Sequence, residues 1–197
     1  MIINKETTKA RPALILIDIQ KGLDEHEYYG GHRNNPDAEQ NMNKLLDHWR
    51  RHHLPLFHVK HNSVNPQSPL AKGKIGNEIK DIVQPITGET VIEKNVNSAF
   101  IGTDLQQQLE NDGITDVVIV GLTTEHCISS SVRMASNLGF KTYLISDATA
   151  AFDKIGQHGV KYSADMVHDI CLANLNHEFA EVLTTEELIS WVLAKEI

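Results

Sequence analysis

Short apolar runs alternate with helical patterns along these 197 residues, and this alternation predicts an α/β fold. The runs at 13–17, 117–120 and 143–145 are continuously apolar, as strands covered on both faces must be. The stretches between them carry apolar residues at helical spacing, which supplies those covers. Together these observations predict a single domain over residues 1–197. Its architecture would be a doubly wound parallel sheet of about six strands with helices on both faces.

Ala13–Ile19 is the first expected strand, and Lys21 to Asn35 a polar loop. Asn35-Pro36 reads as N-cap and first helical position, because Asn accepts from free helical N–H groups and Pro lacks one. Met42, Leu45, Leu46 and Trp49 then lie on one helix face. Pro55–Val59 predicts the second strand, and His61 to Thr87 is a loop too long to be a mere connection. Thr90–Glu93 is the third strand. Thr103-Asp104-Leu105-Gln106 has the form of a capping box opening a helix to about Asp112. Val117–Val120 and Thr142–Ile145 are strands four and five, flanking a helix marked by Ile128, Val132, Ala135 and Leu138 and closed by Gly139. A helix over Tyr162–Leu175, a strand over Phe179–Leu183 and a last helix capped by Thr184-Thr185-Glu186-Glu187 and ending near Lys195 complete the order.

The net charge of −8 opposes binding to nucleic acid or an anionic membrane. No apolar run reaches the roughly 20 residues of a spanning helix. Met1 to Arg11 is polar, without the apolar core of a signal peptide, and two distant Cys residues suit a reducing compartment. A cytoplasmic protein is therefore expected. Of eleven His residues, those at 48, 52, 53, 58 and 61 cluster and read as surface decoration.

The chemistry concentrates at strand ends. Gly121 to Cys127 follows an apolar strand and opens a helix, so Cys127 falls in a first helical turn. There the helix dipole favours a thiolate and free N–H groups can hold an oxyanion. Asp18 closes the apolar run 13–17, and Lys94 ends the stretch Val91-Ile92-Glu93. Gathered at one sheet edge, the carboxylate can take the thiol proton, the ammonium can orient the carboxylate, and the thiolate can attack a carbonyl. Cys171, in mid-helix beside Ile170 and Leu172, reads as core packing.

The segments Leu16 to Gln20, Glu93 to Phe100, Gly121 to Cys127 and Asp147 to Ala150 resemble, in that order, the isochorismatase-like cysteine hydrolases. The resemblance runs from about Pro12 to Glu187. It implies a catalytic Asp18, Lys94 and Cys127, and a cis peptide at Leu122–Thr123 that aims the Thr123 N–H beside that of Cys127. The activity implied is hydrolysis of a C–N bond in a small amide through a thioester. Vinyl-ether hydrolysis, which needs no cysteine, and a non-catalytic binding role are the alternatives. A metal-assisted nicotinamide branch carries Asp-x-His after strand two, where this chain has His61-Asn62-Ser63. Neither metal nor cofactor is therefore expected.

Around the triad, Gln20, Tyr28, His61, Phe100, His126 and Phe152 are candidate pocket residues. His61 either lines the crevice or decorates a loop. Phe100 either guards the pocket or staples a helix. Adjacent residues on a helix face different ways, so His126 does not complete a triad with Cys127. The expected partners are a small-molecule substrate and further copies of the chain. A homodimer or larger assembly would use apolar surface at Phe152, Trp191 and the C-terminal segment.

Overall fold

The computed structural model describes residues 11–196, with side chains described through Trp191. The reading of Met1 to Ala10 lies outside that range. In chain order the elements are β1 (Ala13–Ile17), the short helix α1 (His26–Tyr29), α2 (Ala38–Arg51), β2 (Leu56–His61) and β3 (Thr90–Lys94). There follow α3 (Leu105–Asn111), β4 (Asp116–Leu122), α4 (Ser129–Asn137) and β5 (Lys141–Ala150). A hairpin of β6 (Lys154–Ile155) and β7 (Lys161–Tyr162), then α5 (Ala164–Leu175), β8 (Glu181–Leu183) and α6 (Thr185–Glu196) complete the chain.

The main sheet runs β3-β2-β1-β4-β5-β8, and every neighbouring pair in it is parallel. Strand periodicity sorts the apolar residues to two faces. Leu14 and Leu16 pack with Met42, Leu45, Leu46 and Trp49 of α2 and with Leu188 of α6. Ala13, Ile15 and Ile17 pack with Leu105 and Leu109 of α3, Val132 and Ala135 of α4, and Leu175 of α5. The sheet is thus covered on both sides, as the continuous apolar runs predict. Each fully buried aliphatic side chain contributes roughly 1.5–3 kcal/mol of transfer free energy, which holds the helices on.

The order reverses beside β1: β2 and β3 lie on one side of it, β4 and β5 on the other. A parallel sheet opens a crevice at such a point, beyond the strands' carboxyl ends. Gly121 makes the closure of β1 on β4 possible. It pairs with Ile17 at φ 129°, and a Cβ there would sit 2.0 Å from the Ile17 carbonyl oxygen. Only glycine meets both conditions.

Several boundaries differ from expectation for identifiable reasons. Strand one stops at Ile17, because Asp18 turns to φ 55° while its N–H bonds Val59 O at 2.8 Å. Asn35 does not cap α2. Its amide donates instead to Ser146 O (3.0 Å) and Thr149 O (2.7 Å), where β5 bulges away from β4 between Leu144 and Thr149. Thr103 forms no capping box, since its hydroxyl donates to Ala99 O at 2.6 Å. Tyr162 belongs to the hairpin, and Ser163 caps α5 by accepting from Met166 N–H. The cap of α6 does form: Glu187 N–H donates to Thr184 Oγ1 and Thr184 N–H to Glu187 Oε2.

The histidine cluster is not mere surface. His48 and His58 are buried, and His58 Nε2 lies 2.9 Å from Glu89 Oε2. Nor does Phe152 offer an apolar exterior, while Trp191 is half-buried. Phe152 is fully buried and Trp191 packs on Tyr143, with ring centroids 4.8 Å apart. Among the described residues no helix is long and apolar enough to cross a membrane.

A buried ionic knot ties the 21–35 loop to α2. Arg33 grips Glu39 with two bonds of 2.6 and 2.8 Å, and Lys80 Nζ reaches Glu39 at 2.7 Å and Asp24 at 2.6 Å. Burial pushes Glu39 up, but the bonds from Arg33 and Lys80 prevail and hold it at about 2. A depressed carboxyl stabilises the fold above its unfolded value of 4.5, and that stability is lost as pH falls toward 2. Glu39→Gln should therefore flatten the acid limb of a denaturation series between those values. It should also cost about 3 kcal/mol at neutral pH by leaving Arg33 and Lys80 without their anion. An unchanged acid limb would remove Glu39 from this role.

Candidate active site

Four strand ends converge on one crevice. Asp18 follows β1, His61 ends β2, Lys94 ends β3, and Cys127 lies in the turn between β4 and α4. Lys94 Nζ donates to Asp18 Oδ2 at 2.6 Å, with the two side chains only 0% and 2% exposed. The ammonium also lies 3.2 Å from His61 Nδ1 and 3.2 Å from Val96 O. Asp18 Oδ1 is buried and has no hydrogen-bond partner among the described residues. A carboxylate oxygen of Asp18, a ring nitrogen of His61 and Cys127 Sγ all lie within 4.8 Å of one another.

The turn that carries Cys127 is a single π-helical turn, Thr124–Ile128, and the Leu122–Thr123 peptide before it is cis. Thr123 O accepts from His126 N–H at 3.1 Å and from Ile128 N–H at 3.3 Å, on either side of Cys127. Such turns recur where a helix must present a functional group. The turn is anchored from three directions. Thr124 Oγ1 meets His168 Nδ1 of α5 at 2.9 Å, and Cys171 Sγ donates to Thr124 O at 3.3 Å. Ser131 Oγ donates to Cys127 O at 2.6 Å and accepts from Ala99 N–H at 3.0 Å, fixing the 97–100 segment to α4.

The expectation of a resting thiolate is corrected here. Burial pushes the Cys127 thiol up; the charge of Asp18 adds to this, and Lys94 opposes it. A thiol beside an ionised carboxylate and away from water keeps its proton. His61 is pushed down by burial, which outweighs the upward pull of Asp18 and is aided by Lys94, so it is neutral near pH 7.

A cavity of about 230 Å³ opens over these groups. Of the predicted pocket residues, Tyr28, His61 and His126 line it, together with Asp18, Leu122, Thr123 and Cys127. Gln20, Phe100 and Phe152 do not line it; they stand behind it. Gln20 is fully buried and clamps the backbone, donating to His61 O (3.0 Å) and Asn77 O (2.9 Å) and accepting from His61 N–H (2.8 Å). Phe100 packs in the core on Phe140, with centroids 6.0 Å apart. Phe152 stacks beneath Tyr29 at 5.3 Å. The wall also includes Ser63 and, not named in advance as pocket residues, Leu23, Tyr29, Ser68, Leu70, Asn97 and Lys154. Asn97 sits inside a quoted motif and Tyr29 beside Tyr28. Lys154 had no local signal, because its hairpin was not foreseen.

The two long loops meet to form that wall. Lys21 N–H bonds Glu78 O and Lys80 N–H bonds Ile19 O, both at 2.9 Å. A Cβ on Gly22 would lie 2.9 Å from Gly76 O, so the loops touch backbone to backbone. Asp18, His61 and Cys127 are donors in principle for a metal ion. They do not fit one. The Lys94 ammonium already holds Asp18 and lies against His61, so a cation there would meet a fixed positive charge. Ser63, which lines the cavity, offers no imidazole.

The isochorismatase domain family matches residues 12–187. The chain is 47% identical over 180 residues to the uncharacterized isochorismatase family protein YrdC of Bacillus subtilis, covering 91% of this chain and 95% of that protein. It is 29% identical to nicotinamidase 3 of Arabidopsis thaliana, covering 75% and 76%. A crystal structure of a putative hydrolase of the isochorismatase family from Chromobacterium violaceum superposes with TM-score 0.89 at 42% identity, covering 93% and 94%.

The protonation of Cys127 is directly measurable. In a Cys171→Ser background, ultraviolet thiolate absorbance should stay absent through neutral pH. Asp18→Asn should shift its onset to lower pH, because the carboxylate's charge raises the thiol while Lys94 lowers it. A thiolate signal at pH 7 in the Asp18 protein would overturn this electrostatic account.

Proposed function

The chain belongs to the isochorismatase family, and from that membership we propose that it is a cysteine hydrolase cleaving the C–N bond of a small amide. The observation that carries this reading is the division of labour at Asp18. One oxygen is held by Lys94 at 2.6 Å, the other is buried without a partner, and a protonated thiol lies within 4.8 Å of the carboxylate. That is a base pre-positioned for a thiol which burial keeps neutral at rest.

In this reaction Asp18 takes the Cys127 proton as Sγ attacks the amide carbon. The carbonyl oxygen becomes an oxyanion, held by the N–H groups of Thr123 and Cys127. Asp18 then delivers the proton to the leaving nitrogen as the C–N bond breaks, giving a thioester and a free amine. Water, deprotonated by Asp18, attacks the thioester; the acid leaves and the thiol regains its proton. Lys94 keeps Asp18 oriented and balances its charge throughout. Vinyl-ether hydrolysis would use Asp18 as an acid and leave Cys127 idle, so the thiol's position favours amide cleavage. Nicotinamidase 3 and the ureidoacrylate amidohydrolase of Agrobacterium fabrum, 36% identical over 80 residues, are relatives named for amide-type substrates.

Ammonia or amine release from a panel of small amides, ureas and hydrazides tests the proposal. Cys127→Ala should abolish turnover, and Asp18→Asn should lower kcat by about 100-fold or more, the usual range for a lost proton shuttle. Mass spectrometry of the quenched enzyme should show an acyl adduct on Cys127 and none on Cys171. Turnover that persists in Cys127→Ala would sink the mechanism.

Metal dependence is a separate prediction. Activity should survive dialysis against EDTA or phenanthroline, since the donors are committed to Lys94. Loss on chelation with recovery on added zinc or manganese would move the chemistry to a metal.

A further inference from the structure

We propose that His61 is a specificity-determining residue: Lys94 locks its ring in the Nε2–H form, and this N–H selects amides that carry a second, uncharged acceptor oxygen close to the scissile carbonyl. The inference rests on the amide-hydrolase reading and names its substrate class. Lys94 sets the tautomer. Its ammonium has three N–H bonds and three acceptors around it: Asp18 Oδ2 at 2.6 Å, His61 Nδ1 at 3.2 Å and Val96 O at 3.2 Å. All three are spent inside the protein, and Lys94 keeps none for a substrate. An ammonium can only donate, so Nδ1 must offer its lone pair. A neutral imidazole that accepts at Nδ1 carries its proton at Nε2.

That proton opens on the cavity. His61 lines the cavity wall, and among the described residues no group bonds Nε2, although the atom is not sealed in the interior. The residue is held from behind. His61 N–H donates to Gln20 Oε1 at 2.8 Å, and His61 O accepts from Gln20 Nε2 at 3.0 Å and Asn77 Nδ2 at 2.8 Å. A donor on so fixed a stem specifies position as well as chemistry. A ring nitrogen of His61 comes within 4.8 Å of both Cys127 Sγ and a carboxylate oxygen of Asp18. The oxygen it meets therefore lies only a few bonds from the carbon under attack.

The rest of the wall supports an uncharged acceptor. Tyr29 Oη and Thr123 Oγ1 are buried there without a partner among the described residues. Burial raises the Tyr29 phenol, so it keeps its proton and can donate. A buried hydroxyl left unmet is costly, and a ligand oxygen relieves that cost. A carboxylate beside His61 would lie close to the bare Asp18 Oδ1, like charge against like. An ammonium there would set donor against donor. A ketone or second amide oxygen meets neither objection, and the cavity of about 230 Å³ limits the whole to a small molecule.

Tautomer and selection can be read on one sample. The Cys127→Ala protein, carrying isotope-labelled histidine, is observed by long-range proton–nitrogen NMR near neutral pH, with His61 assigned by the signal lost in His61→Gln. Nε2 should carry the proton and Nδ1 the lone pair. Pyruvamide and acetoacetamide are then titrated against isobutyramide and isovaleramide, in which a methyl group replaces the keto oxygen. At least one keto amide should move the Nε2 resonance and bind about fivefold or more tightly than its isostere, the usual worth of a hydrogen bond. Gln places an amide nitrogen near the site of Nε2, and Asn places an amide oxygen near that of Nδ1. The preference should therefore vanish in His61→Asn and return at least in part in His61→Gln. Survival in His61→Asn, or loss in both variants, would reduce His61 to a prop for Lys94 and overturn the proposal. So would a proton on Nδ1, an imidazolium, equal affinity within each pair, or no binding of any of these amides. A keto-amide preference without Cys127-dependent hydrolysis of any amide would instead overturn the amidase reading and leave this one standing.

Discussion

The buried pair between Lys94 and Asp18 is the constraint on which the site depends. Two charges 0% and 2% exposed have lost nearly all their hydration, a cost that close pairing must offset. The partners come from β3 and β1, with β2 between them. They meet only if both strand registers are kept, Ile17 beside Val59 and His61 beside Lys94. A slip of one residue would turn Lys94 to the opposite face and leave Asp18 buried alone. The same pair sets the site's electrostatics. It consumes one carboxylate oxygen and leaves the other bare, and its negative end raises the thiol, while burial lowers His61 against the pull of Asp18.

Much of this was legible in the chain. Asp18 stood out because a charged residue closing an apolar run must find a partner or a task, and Lys94, at the end of another strand, offered that partner. Cys127 stood out because a strand, a glycine and a helical pattern bracket it. The strands were legible because a parallel sheet buries both faces. The failures share a cause, which is long-range competition for local groups. Asn35 had every local qualification for a cap, yet the β5 carbonyls 111 and 114 residues away took its amide. Phe100 and Phe152 flank the right motifs, but which way a loop aromatic turns depends on the core behind it. The thiolate expectation weighed the helix dipole and left out burial and the neighbouring carboxylate, which act the other way.

The resemblance also joined residues of unlike purpose. Asp147 to Ala150 helped to identify the family, yet in the structure this stretch is architectural. Asp147 Oδ1 accepts from Thr185 N–H and Oγ1, both at 2.8 Å, and so holds the start of α6. Asp147 O accepts from Asn41 of α2 at 2.8 Å. The bulge in β5 is thus the seam joining two helices to the sheet.

The protonated state of Cys127 has a consequence for the protein's durability. Peroxides attack thiolates far faster than thiols, and the damage climbs from sulfenic to irreversible sulfonic acid. A nucleophile stored as a buried thiol, and ionised only when a substrate carbonyl is there to receive it, spends little time in the vulnerable form. The carboxylate that raises the thiol at rest is the same group proposed to remove its proton in the reaction. In the proposed reaction Asp18 thereby acts as a safety catch, holding the thiol in its less oxidisable form until substrate arrives.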